Sequence, residues 1–421
     1  METVQQSSTI AALDIGSDRI SLAVADVAEN GELTLLGFGK VPSRGIQFGS
    51  VQDVELAVES IRSAVAEAEQ NSGRKVTSVS VALTGKHLHS INKVGQLVLR
   101  DAEVDVSDVK RVTRLAMAFD PKTDAVGEDD RLVSHVLKGY TLDNDDDNMI
   151  DNPVGMTASV LKAHLHLAVG SESVVQNLVR CVRRAGLDIE GIVLQPWASA
   201  AGVLTPTDKD LGVVLLDIGA GTTDISCWER KQVEFTAVAA MGGDTIRRDI
   251  AAVLGCNLND AEEIKLAYGH WPLRREDAYE TVRFVHEASG ESQTCACEKI
   301  VLTVESRLTE MFKVIARNYL APDNWNLRAS AGIVLTGGMA RMPGIAALAE
   351  KVLSLPVRIG TPELQSRESL GLVSPEDATV VGVLIETVRR RRLAGTQKRP
   401  HGTWSKITAQ LRRIVFGDFS G

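Results

Sequence analysis

The stretch Leu216-Asp217-Ile218-Gly219-Ala220-Gly221-Thr222-Thr223-Asp224 follows the apolar run Val213 to Leu215 and places a carboxylate directly before a glycine-rich turn. A short apolar run bounded by a turn is typical of a buried β-strand. Glycine lets backbone N–H groups approach an anion closely, and one turn can present several of them together. The stretch therefore predicts a strand that carries a carboxylate at its tip, beside an anion-binding turn.

A second copy of this pattern lies at Asp14-Ile15-Gly16-Ser17, after the apolar run Thr9 to Leu13. One Asp-Ile-Gly is usually a plain turn, but two copies 203 residues apart predict two similar halves whose hairpins face each other. Between the hairpins we expect a polyphosphate and a Mg²⁺ ion. Asp14 and Asp217 would hold the ion through water, because Mg²⁺ prefers carboxylate oxygens on rigid supports.

Further residues are expected to complete this site. Gln195, placed between a strand and Pro196, would orient an attacking water, but it lacks the basicity of a carboxylate, so we expect slow hydrolysis at most. Glu262 and Lys265 lie three residues apart on one helix face and would contact a ribose hydroxyl and the edge of a base. The full set of expected nucleotide contacts is Gly16, Ser17, Gly219, Gly221, Thr222, Thr223, Gly243, Glu262, Lys265, Gly337, Gly338 and Met339.

Composition restricts the class of protein. A chain of 421 residues predicts two to four domains, and no apolar run approaches the roughly 18 residues of a membrane-spanning helix. The polar start, Met1 to Ser8, lacks the features of a signal peptide, so we expect the chain to remain in the cytosol. Five scattered cysteines are expected to be free thiols rather than a disulfide framework.

The C-terminal segment differs from the rest. Residues 389–421 contain nine Lys or Arg and a single acid, Asp418, in a chain whose net charge is −9. Residues 389–402 are interpreted as a flexible basic linker. On a helix, the apolar residues that follow would share an arc of roughly 140°. That pattern predicts an amphipathic helix on anionic lipid, with contacts from Trp404, Ile407, Leu411, Arg412, Ile414, Val415, Phe416 and Phe419.

Five ordered segments together resemble the actin, Hsp70 and sugar-kinase superfamily. They are residues 13–17, 194–200, 216–224, 335–338 and 375–382. Within that superfamily the chain resembles the FtsA family of bacterial actin-like cell division proteins. Ser43-Arg44-Gly45-Ile46, Asn152-Pro153-Val154-Gly155-Met156 and the basic C-terminal segment are similar to stretches of that family.

The resemblance implies an α/β, actin-like (ribonuclease H-like) two-lobed ATPase fold with an inserted α+β subdomain 1C and a C-terminal amphipathic helix. The implied divisions are subdomain 1A at 1–85 and 167–205, 1C at 86–166, 2A at 206–242 and 304–388, 2B at 243–303, the linker at 389–402 and the helix at 403–421.

The resemblance also implies ATP and Mg²⁺ as ligands, and actin-like filaments on the cytoplasmic face of the bacterial inner membrane at the division site. The implied partners are the C-terminal peptide of FtsZ, contacted by Arg307 and Glu310, anionic lipids, and later division proteins that bind subdomain 1C. No nucleic-acid partner is expected.

Other functions share the superfold. A sugar or acetate kinase would need a catalytic carboxylate in a sugar cleft, and the sequence offers no candidate with supporting neighbours. A chaperone would need a peptide-binding domain after the second lobe, where only about 33 residues follow Val388. A type IV pilus assembly ATPase would not need the apolar arc from Trp404 to Phe419, and neither would a nucleic-acid-binding tail.

Overall fold

Two β-sheets with the same strand order form the two halves of the molecule. The computed structural model describes residues 8–124, 126–143, 145, 148–366 and 373–396. The first half opens with β1 (Ser8–Ile15), β2 (Arg19–Val27), β3 (Leu33–Pro42), β4 (Ile46–Gln47), β5 (Ser50–Val51), α1 (Val54–Ser72) and β6 (Ser78–Leu83). An inserted unit follows, made of β7 (Leu88–Glu103), α2 (Val106–Ala116), β8 (Asp130–Leu142) and β9 (Thr157–Ser171). The first half then ends with α3 (Glu172–Arg184), β10 (Asp188–Leu194) and α4 (Gln195–Val203).

The second half repeats the plan with a different insertion. Its elements are α5 (Pro206–Leu211), β11 (Val213–Ile218), β12 (Thr223–Glu229), β13 (Gln232–Ala239), α6 (Gly243–Leu254), α7 (Leu258–Tyr268), β14 (Thr281–Val285), β15 (Ser292–Ala296), α8 (Cys297–Ile315), α9 (Trp325–Arg328), β16 (Ile333–Thr336), α10 (Ile345–Leu353) and β17 (Val357–Ile359). The chain then returns to the first half through β18 (Gln365–Ser366) and α11 (Ala378–Thr396).

Strand order shows that the halves are related. The first sheet runs β10-β6-β1-β2-β3, with β18 added beside β3, and the second, written in the matching direction, runs β17-β16-β11-β12-β13. In each sheet three consecutive strands form an antiparallel meander, and later strands add in parallel beside the first of the three. Asp14 and Asp217 therefore occupy equivalent places, one residue before the end of β1 and of β11. The predicted α/β fold with two similar halves is confirmed.

The central strand of the first sheet is apolar because both of its faces are covered. Leu13 packs in the same core cluster as Ile61 of α1, on one face of the sheet. Ala12 lies in a second cluster with Val380 and Leu384 of α11, on the other face. A strand that is covered on both faces has a continuous apolar sequence. Both β1, before Asp14, and β11, before Asp217, have such a sequence.

Helices α4 and α11 cross in close contact between the two halves. A Cβ added to Gly382 would lie 1.7 Å from the carbonyl oxygen of Ala198, and one on Gly202 would lie 2.5 Å from that of Ala378. Only glycine permits backbones to approach this closely. The crossing therefore fixes the position of α4, whose first residue is Gln195, against the start of α11.

The inserted unit has its own small core. Its strands pair in the antiparallel order β7-β9-β8, and α2 covers one face, where Val112, Leu161 and Leu165 are fully buried. The expected 1C boundary at residue 166 falls within β9, and the expected 2B boundary at residue 303 falls within α8. Long elements thus run continuously from each insertion into the lobe that carries it.

The inserted unit meets both lobes at Thr236 of β13. Asn92 donates from Nδ2 to the carbonyl of Glu234 (2.8 Å), so its Oδ1 accepts from His166 Nδ1 (2.8 Å). Burial lowers the pKa of His166 to about 3, and the neutral ring accepts at Nε2 from the Thr236 hydroxyl (2.9 Å). That hydroxyl in turn accepts from Trp197 Nε1 (3.0 Å). The buried groups of Trp197, Thr236 and His166 are thereby satisfied, and the proton positions follow from the donor chain that ends at the exposed Asn92.

The expected flexible linker from residue 389 is wrong for its first eight residues. Helix α11 continues to Thr396, and its arginines contact the first lobe. Arg390 donates to the carbonyl of Ile192 (2.8 Å), and Arg391 forms a two-pronged pair with Glu190 (2.5 and 2.7 Å). The partners of these arginines lie 198 and 201 residues earlier in the sequence, and the contacts with them hold the basic run in the helix.

The expected membrane contacts lie outside the described residues. This applies to all eight side chains from Trp404 to Phe419. Among the described helices, none combines the length and the apolar character needed to cross a bilayer.

Candidate functional site: a cleft between two acid-tipped hairpins

A cleft of about 510 Å³ lies where the two halves meet. Its size is that of a small-molecule site. The expected residues that line it are Asp14, Gly16, Ser17, Gln195, Asp217, Gly219, Gly221, Thr222, Gly243, Glu262, Lys265, Gly337, Gly338 and Met339.

The two glycine hairpins face each other across this cleft. The N–H of Gly16 donates to the carbonyl of Arg19 (3.0 Å), and that of Gly219 donates to the carbonyl of Thr222 (2.9 Å), which closes each turn. A Cβ added to Gly221 would lie 2.8 Å from Ser17 Oγ of the opposite hairpin. Turns 203 residues apart in sequence thus form the two sides of one site.

Asp217 is held by hydroxyl groups of both crossing helices. Its Oδ2 accepts from Ser199 of α4 (2.5 Å) and from Thr379 of α11 (3.0 Å). Burial raises the pKa of Asp217, while hydrogen bonds from Ser199, Thr379 and Gln195 oppose that rise. Gly337 lies against the other oxygen, since a Cβ there would be 2.3 Å from Oδ1. The carboxylate is therefore fixed in orientation.

Asp14 has an unsatisfied oxygen. Its Oδ1 is shielded from solvent and has no hydrogen-bond partner among the described residues. Burial, and then the Asp217 carboxylate, raise the pKa of Asp14 to about 7, against an opposing effect of Arg19. A buried carboxylate that lacks a donor is costly unless a ligand completes it.

A third buried carboxylate links the lobes directly. Asp224 of β12 accepts from Thr84, at the end of β6 in the first half (2.6 Å), and from Thr222 (3.3 Å). Burial and then Asp217 raise the pKa of Asp224 well above its ordinary value. Asp224 itself does not line the cleft, but the two threonines that bind it do.

The part of the cleft formed by α7 and Gly243 carries an ion pair and a methionine. Lys265 pairs with Glu262 one helical turn away on α7 (2.7 Å). A Cβ added to Gly243 would contact Met339 Sδ at 2.8 Å and Lys265 Nζ at 3.4 Å. Glycine at position 243 thus lets the methionine and lysine side chains lie against the backbone.

Thr223 is the one expected contact that does not line the cleft. It is fully buried, and its hydroxyl donates to the carbonyl of Met241 (2.9 Å). Thr222 precedes β12 and its hydroxyl binds Asp224, whereas Thr223 opens β12 with its hydroxyl turned to Met241, so only Thr222 lines the site.

Several lining residues were not anticipated. They are Asp18, Arg19, Thr84, Ala220, Asp244, Leu266, Gly269, Arg341, Met342, Pro343, Glu376 and Thr379. Arg19, Arg341, Glu376 and Thr379 lie within or next to the motifs that were recognised, so proximity to those motifs was the available signal.

Arg307 and Glu310, the expected FtsZ contacts, lie on α8. Arg307 binds Asp249 of α6, with Nη2–Oδ1 at 2.8 Å, and also pairs with Glu310 (2.6 Å). An acidic peptide that contacts Arg307 would therefore have to compete with Asp249 and Glu310 for its guanidinium. The neighbouring open groove of about 440 Å³ is lined instead by Ser306, Thr309, Glu310, Lys313, Val314 and Arg317.

The residues present suit a divalent cation that is held jointly with a phosphate ligand. No group of three or more His, Cys, Asp or Glu side chains in the described ranges could hold a metal alone. Asp14 and Asp217, with the free Oδ1 of Asp14, supply two hard oxygen ligands. Mg²⁺ is usually bound by one or two carboxylates together with waters and substrate phosphates.

Comparison with known proteins identifies the family. Residues 214–382 match the family model described as Cell division protein FtsA, and residues 85–169 match the model of the SHS2 domain inserted in FTSA. The chain is 33% identical to the cell division protein FtsA of Pseudomonas aeruginosa over 425 residues, covering 100% of both chains. The chain belongs to the FtsA family of cell division proteins. FtsA of Neisseria meningitidis is 32% identical over 90% of each chain, and FtsA of Bacillus subtilis is 30% identical over 91% of this chain and 84% of its own.

Solved structures confirm that this FtsA-family chain has an actin-like fold. A PilM-PilN type IV pilus biogenesis complex matches with a TM-score of 0.62 at 18% identity, covering 90% of this chain and 98% of that one. MreB5 of Spiroplasma citri bound to ADP matches with 0.53 at 12% identity, covering 93% and 99%. A MamK double helical filament matches with 0.52 at 14% identity, covering 93% and 99%.

Replacing Asp14 with Asn should stabilise the ligand-free protein, and the effect should depend on pH. The folded chain binds a proton at Asp14 between an unfolded pKa of 3.8 and a folded pKa of about 7, so the stability that this carboxyl provides decreases as pH rises through that window. Asparagine does not ionise, so the variant does not lose this stability as pH rises. We expect a melting temperature several degrees higher above pH 7, since about 1 kcal/mol corresponds to roughly 2–4 °C in domains of this size, and almost no difference near pH 4.

Calorimetry of the two proteins from pH 4 to 8 measures this difference. Asp18→Asn, an exposed change in the same hairpin, is the control and should show no such trend. A stabilisation of Asp14→Asn that is equal at all pH values would contradict the raised pKa.

Proposed function

We propose that this FtsA-family chain binds Mg-ATP in the cleft between its halves and acts as an actin-like, nucleotide-dependent scaffold of cell division. The observation that carries the proposal is the unpartnered, buried Oδ1 of Asp14 beside Asp217, at the point where two glycine hairpins face each other. Backbone N–H groups of such turns bind phosphates, and a cation would supply the missing partner of Asp14.

Each part of the cleft has a proposed role. The hairpin backbones at Gly16, Ser17, Gly219 and Gly221, with the Thr222 hydroxyl, would bind phosphate oxygens. Glu262 and Lys265 would bind the ribose and the base edge. Gly243, Gly337, Gly338 and Met339 would lie against the adenosine, where glycine allows backbone to contact a flat ring.

Asp14 and Asp217 would hold a Mg²⁺ ion through water. When bound, this ion would neutralise charge on the phosphates. Gln195 lies at the start of α4 in the cleft and hydrogen-bonds Asp217, so it can orient a water but cannot remove a proton from it effectively. Slow turnover follows from this, and nucleotide binding rather than rapid hydrolysis would control assembly.

Replacing Gly338 with Leu should block nucleotide binding without disturbing the fold. A Cβ at this position meets no atom within 4 Å, so a larger side chain would extend into the cleft rather than into the core. We expect affinity for Mg-ATP to fall at least about tenfold, because the pocket volume is lost. Isothermal titration calorimetry gives the affinity, and thermal melting reports the fold.

Ser330→Leu is the control, because it adds the same side chain to an exposed position of the same lobe. Normal Mg-ATP affinity in Gly338→Leu would show that the cleft is not the nucleotide site.

Filament formation and membrane attachment extend the proposal. Actin-like relatives include a double helical filament, which supports head-to-tail assembly of this chain. The basic, apolar segment after Thr396 would attach the filament to anionic lipid at the cytoplasmic face of the inner membrane. Subdomain 1C would recruit later division proteins.

Replacing Trp404 with Glu should release the protein from anionic vesicles. The change puts a charge on the apolar arc that would enter the lipid. We expect most of the protein to move from the pellet to the supernatant in co-sedimentation with vesicles that contain phosphatidylglycerol. Ala409→Glu adds the same charge about 140° away on a helical projection and should pellet almost normally. Unchanged pelleting of Trp404→Glu would remove the membrane proposal.

The FtsZ contact is proposed for the groove on α8. FtsZ tails are expected to be acidic, and Lys313 and Arg317 line this groove while Arg307 is held by Asp249. Among the described residues no carboxylate pairs with Lys313. The acidic peptide would therefore bind beside Arg307 and Glu310, with Lys313 as its main cationic contact.

Replacing Lys313 with Glu should weaken binding of the FtsZ C-terminal peptide by roughly tenfold, because an attractive charge becomes repulsive. Fluorescence polarisation of a labelled peptide measures this. Lys299→Glu, on the exposed face of the same helix, is the matched control. Equal affinities of the two variants would place the peptide elsewhere.

A further inference from the structure

Glu376 joins two arginines that come from opposite halves of the molecule. It lies in the short 3-10 turn Pro375–Asp377 that precedes α11, and its side chain is 15% exposed. One carboxylate oxygen lies 2.7 Å from Arg19 Nη1, on the β1–β2 hairpin. The other lies 2.9 Å from Arg341 Nη1, at the end of the turn that follows β16. All three residues line the cleft.

The guanidinium of Arg19 is fixed on three sides. Besides the Glu376 carboxylate, Nη2 donates to the carbonyl of Glu376 (3.3 Å) and Nε donates to Ser21 Oγ (3.2 Å). A guanidinium has five N–H groups in a rigid plane. These contacts therefore leave one N–H on each terminal nitrogen of Arg19 that donates to no residue in the described ranges.

The cleft as a whole is acidic, which makes the placement of its cations important. Its lining includes the carboxylates of Asp14, Asp18, Asp217, Asp244, Glu262 and Glu376. The cations that line it are Arg19, Lys265 and Arg341, and Lys265 is already paired with Glu262. A mobile arginine in this setting would turn toward Asp14 or Asp217 and would no longer face an incoming anion.

Glu376 prevents this because it is charged and well supported. Burial acts to raise its pKa, but Arg19 and Arg341 outweigh burial and hold the pKa below the ordinary value. The backbone at Pro375 accepts from Thr336 Oγ1 (2.9 Å) and from the N–H of Gly337 (3.1 Å), which anchors the turn to the second half. A carboxylate on a fixed backbone can orient both guanidinium groups.

We propose that Glu376 is a positioning residue for the polyphosphate chain of the nucleotide: it holds Arg19 and Arg341, one from each lobe, with N–H groups directed to phosphate oxygens. The inference rests on the proposed nucleotide site. It assigns to these three residues the preference of that site for a polyphosphate over a single phosphate. Preorganised, charge-assisted donors lose little freedom on binding, so their contribution grows with the number of phosphates they reach.

Replacing Glu376 with Gln should weaken the binding of ATP more than the binding of AMP. Glutamine keeps the shape of the side chain but removes the charge that fixes both arginines. We expect affinity for Mg-ATP to fall roughly tenfold, the range for loss of a charge-assisted hydrogen bond, while affinity for AMP changes less than about twofold. Glu376→Asp, which keeps the charge, should recover part of the ATP affinity. Isothermal titration calorimetry with both nucleotides gives the ratio.

The control is Glu386→Gln, because Glu386 also pairs with an arginine, Arg389 (3.2 Å), but on α11 outside the cleft. Arg341→Gln, at a side chain that is 62% exposed, provides a second variant that should fold and should show the same selective loss. Equal weakening of ATP and AMP, or no weakening, in both cleft variants would overturn the inference. Failure of the wild-type chain to bind either nucleotide would overturn the proposed function itself.

Discussion

The double hydrogen bond to Asp217 is the constraint on which the site depends. One carboxylate oxygen accepts from Ser199 and Thr379, and these hydroxyls also lie 2.9 Å from each other. Ser199 lies on α4 and Thr379 on α11, so the tip of β11 is tied to both helices that cross between the halves. Loss of either hydroxyl would leave a buried charge with fewer donors and would free the strand tip from one helix. The carboxylate thereby sets the distance between the hairpins as well as its own orientation.

The same crossing links the cleft to the inserted unit. Gln195 in the cleft and Trp197 at the Thr236 junction are two residues apart on α4. In the chain from Trp197 through Thr236 to His166, the indole N–H and both ring nitrogens of His166 are used, and the exposed Asn92 ends the chain. A shift of α4 relative to β13 must therefore break a buried hydrogen bond or move the inserted unit with it. Close packing at Gly382 leaves little space for α4 to adjust in any other way.

Sequence reasoning predicted the parts of the site whose residues are neighbours along the chain. Asp14, Asp217 and the glycines beside them follow apolar strands directly, so strand, turn and carboxylate could be recognised together. Arg19 and Glu376 were not anticipated because their pairing joins residues 357 positions apart, and each is an ordinary charged residue in its own neighbourhood. Thr223 was assigned to the cleft because it adjoins Thr222, but its hydroxyl is turned away and binds the carbonyl of Met241. The pairing of Arg19 with Glu376 depends on distance in the fold, which no local pattern encodes, whereas the Thr223 error concerns the direction of one side chain.

The arginine run at residues 389–392 illustrates the same limit and bears on the proposed membrane attachment. Its composition suggested a solvated linker, yet Arg390 and Arg391 bind β10 and Arg392 lies against Gly31 in the turn between β2 and β3. Cations used in this way are not available to lipid headgroups. In the proposed membrane attachment, the charge that attracts an anionic surface would then come from later residues, Lys398, Arg399, Lys406, Arg412 and Arg413. The described contacts hold α11 against the first lobe beside β10. Under the proposed membrane attachment, these arginines would serve to fix α11 on the body, and binding to lipid would depend on the residues beyond Thr396.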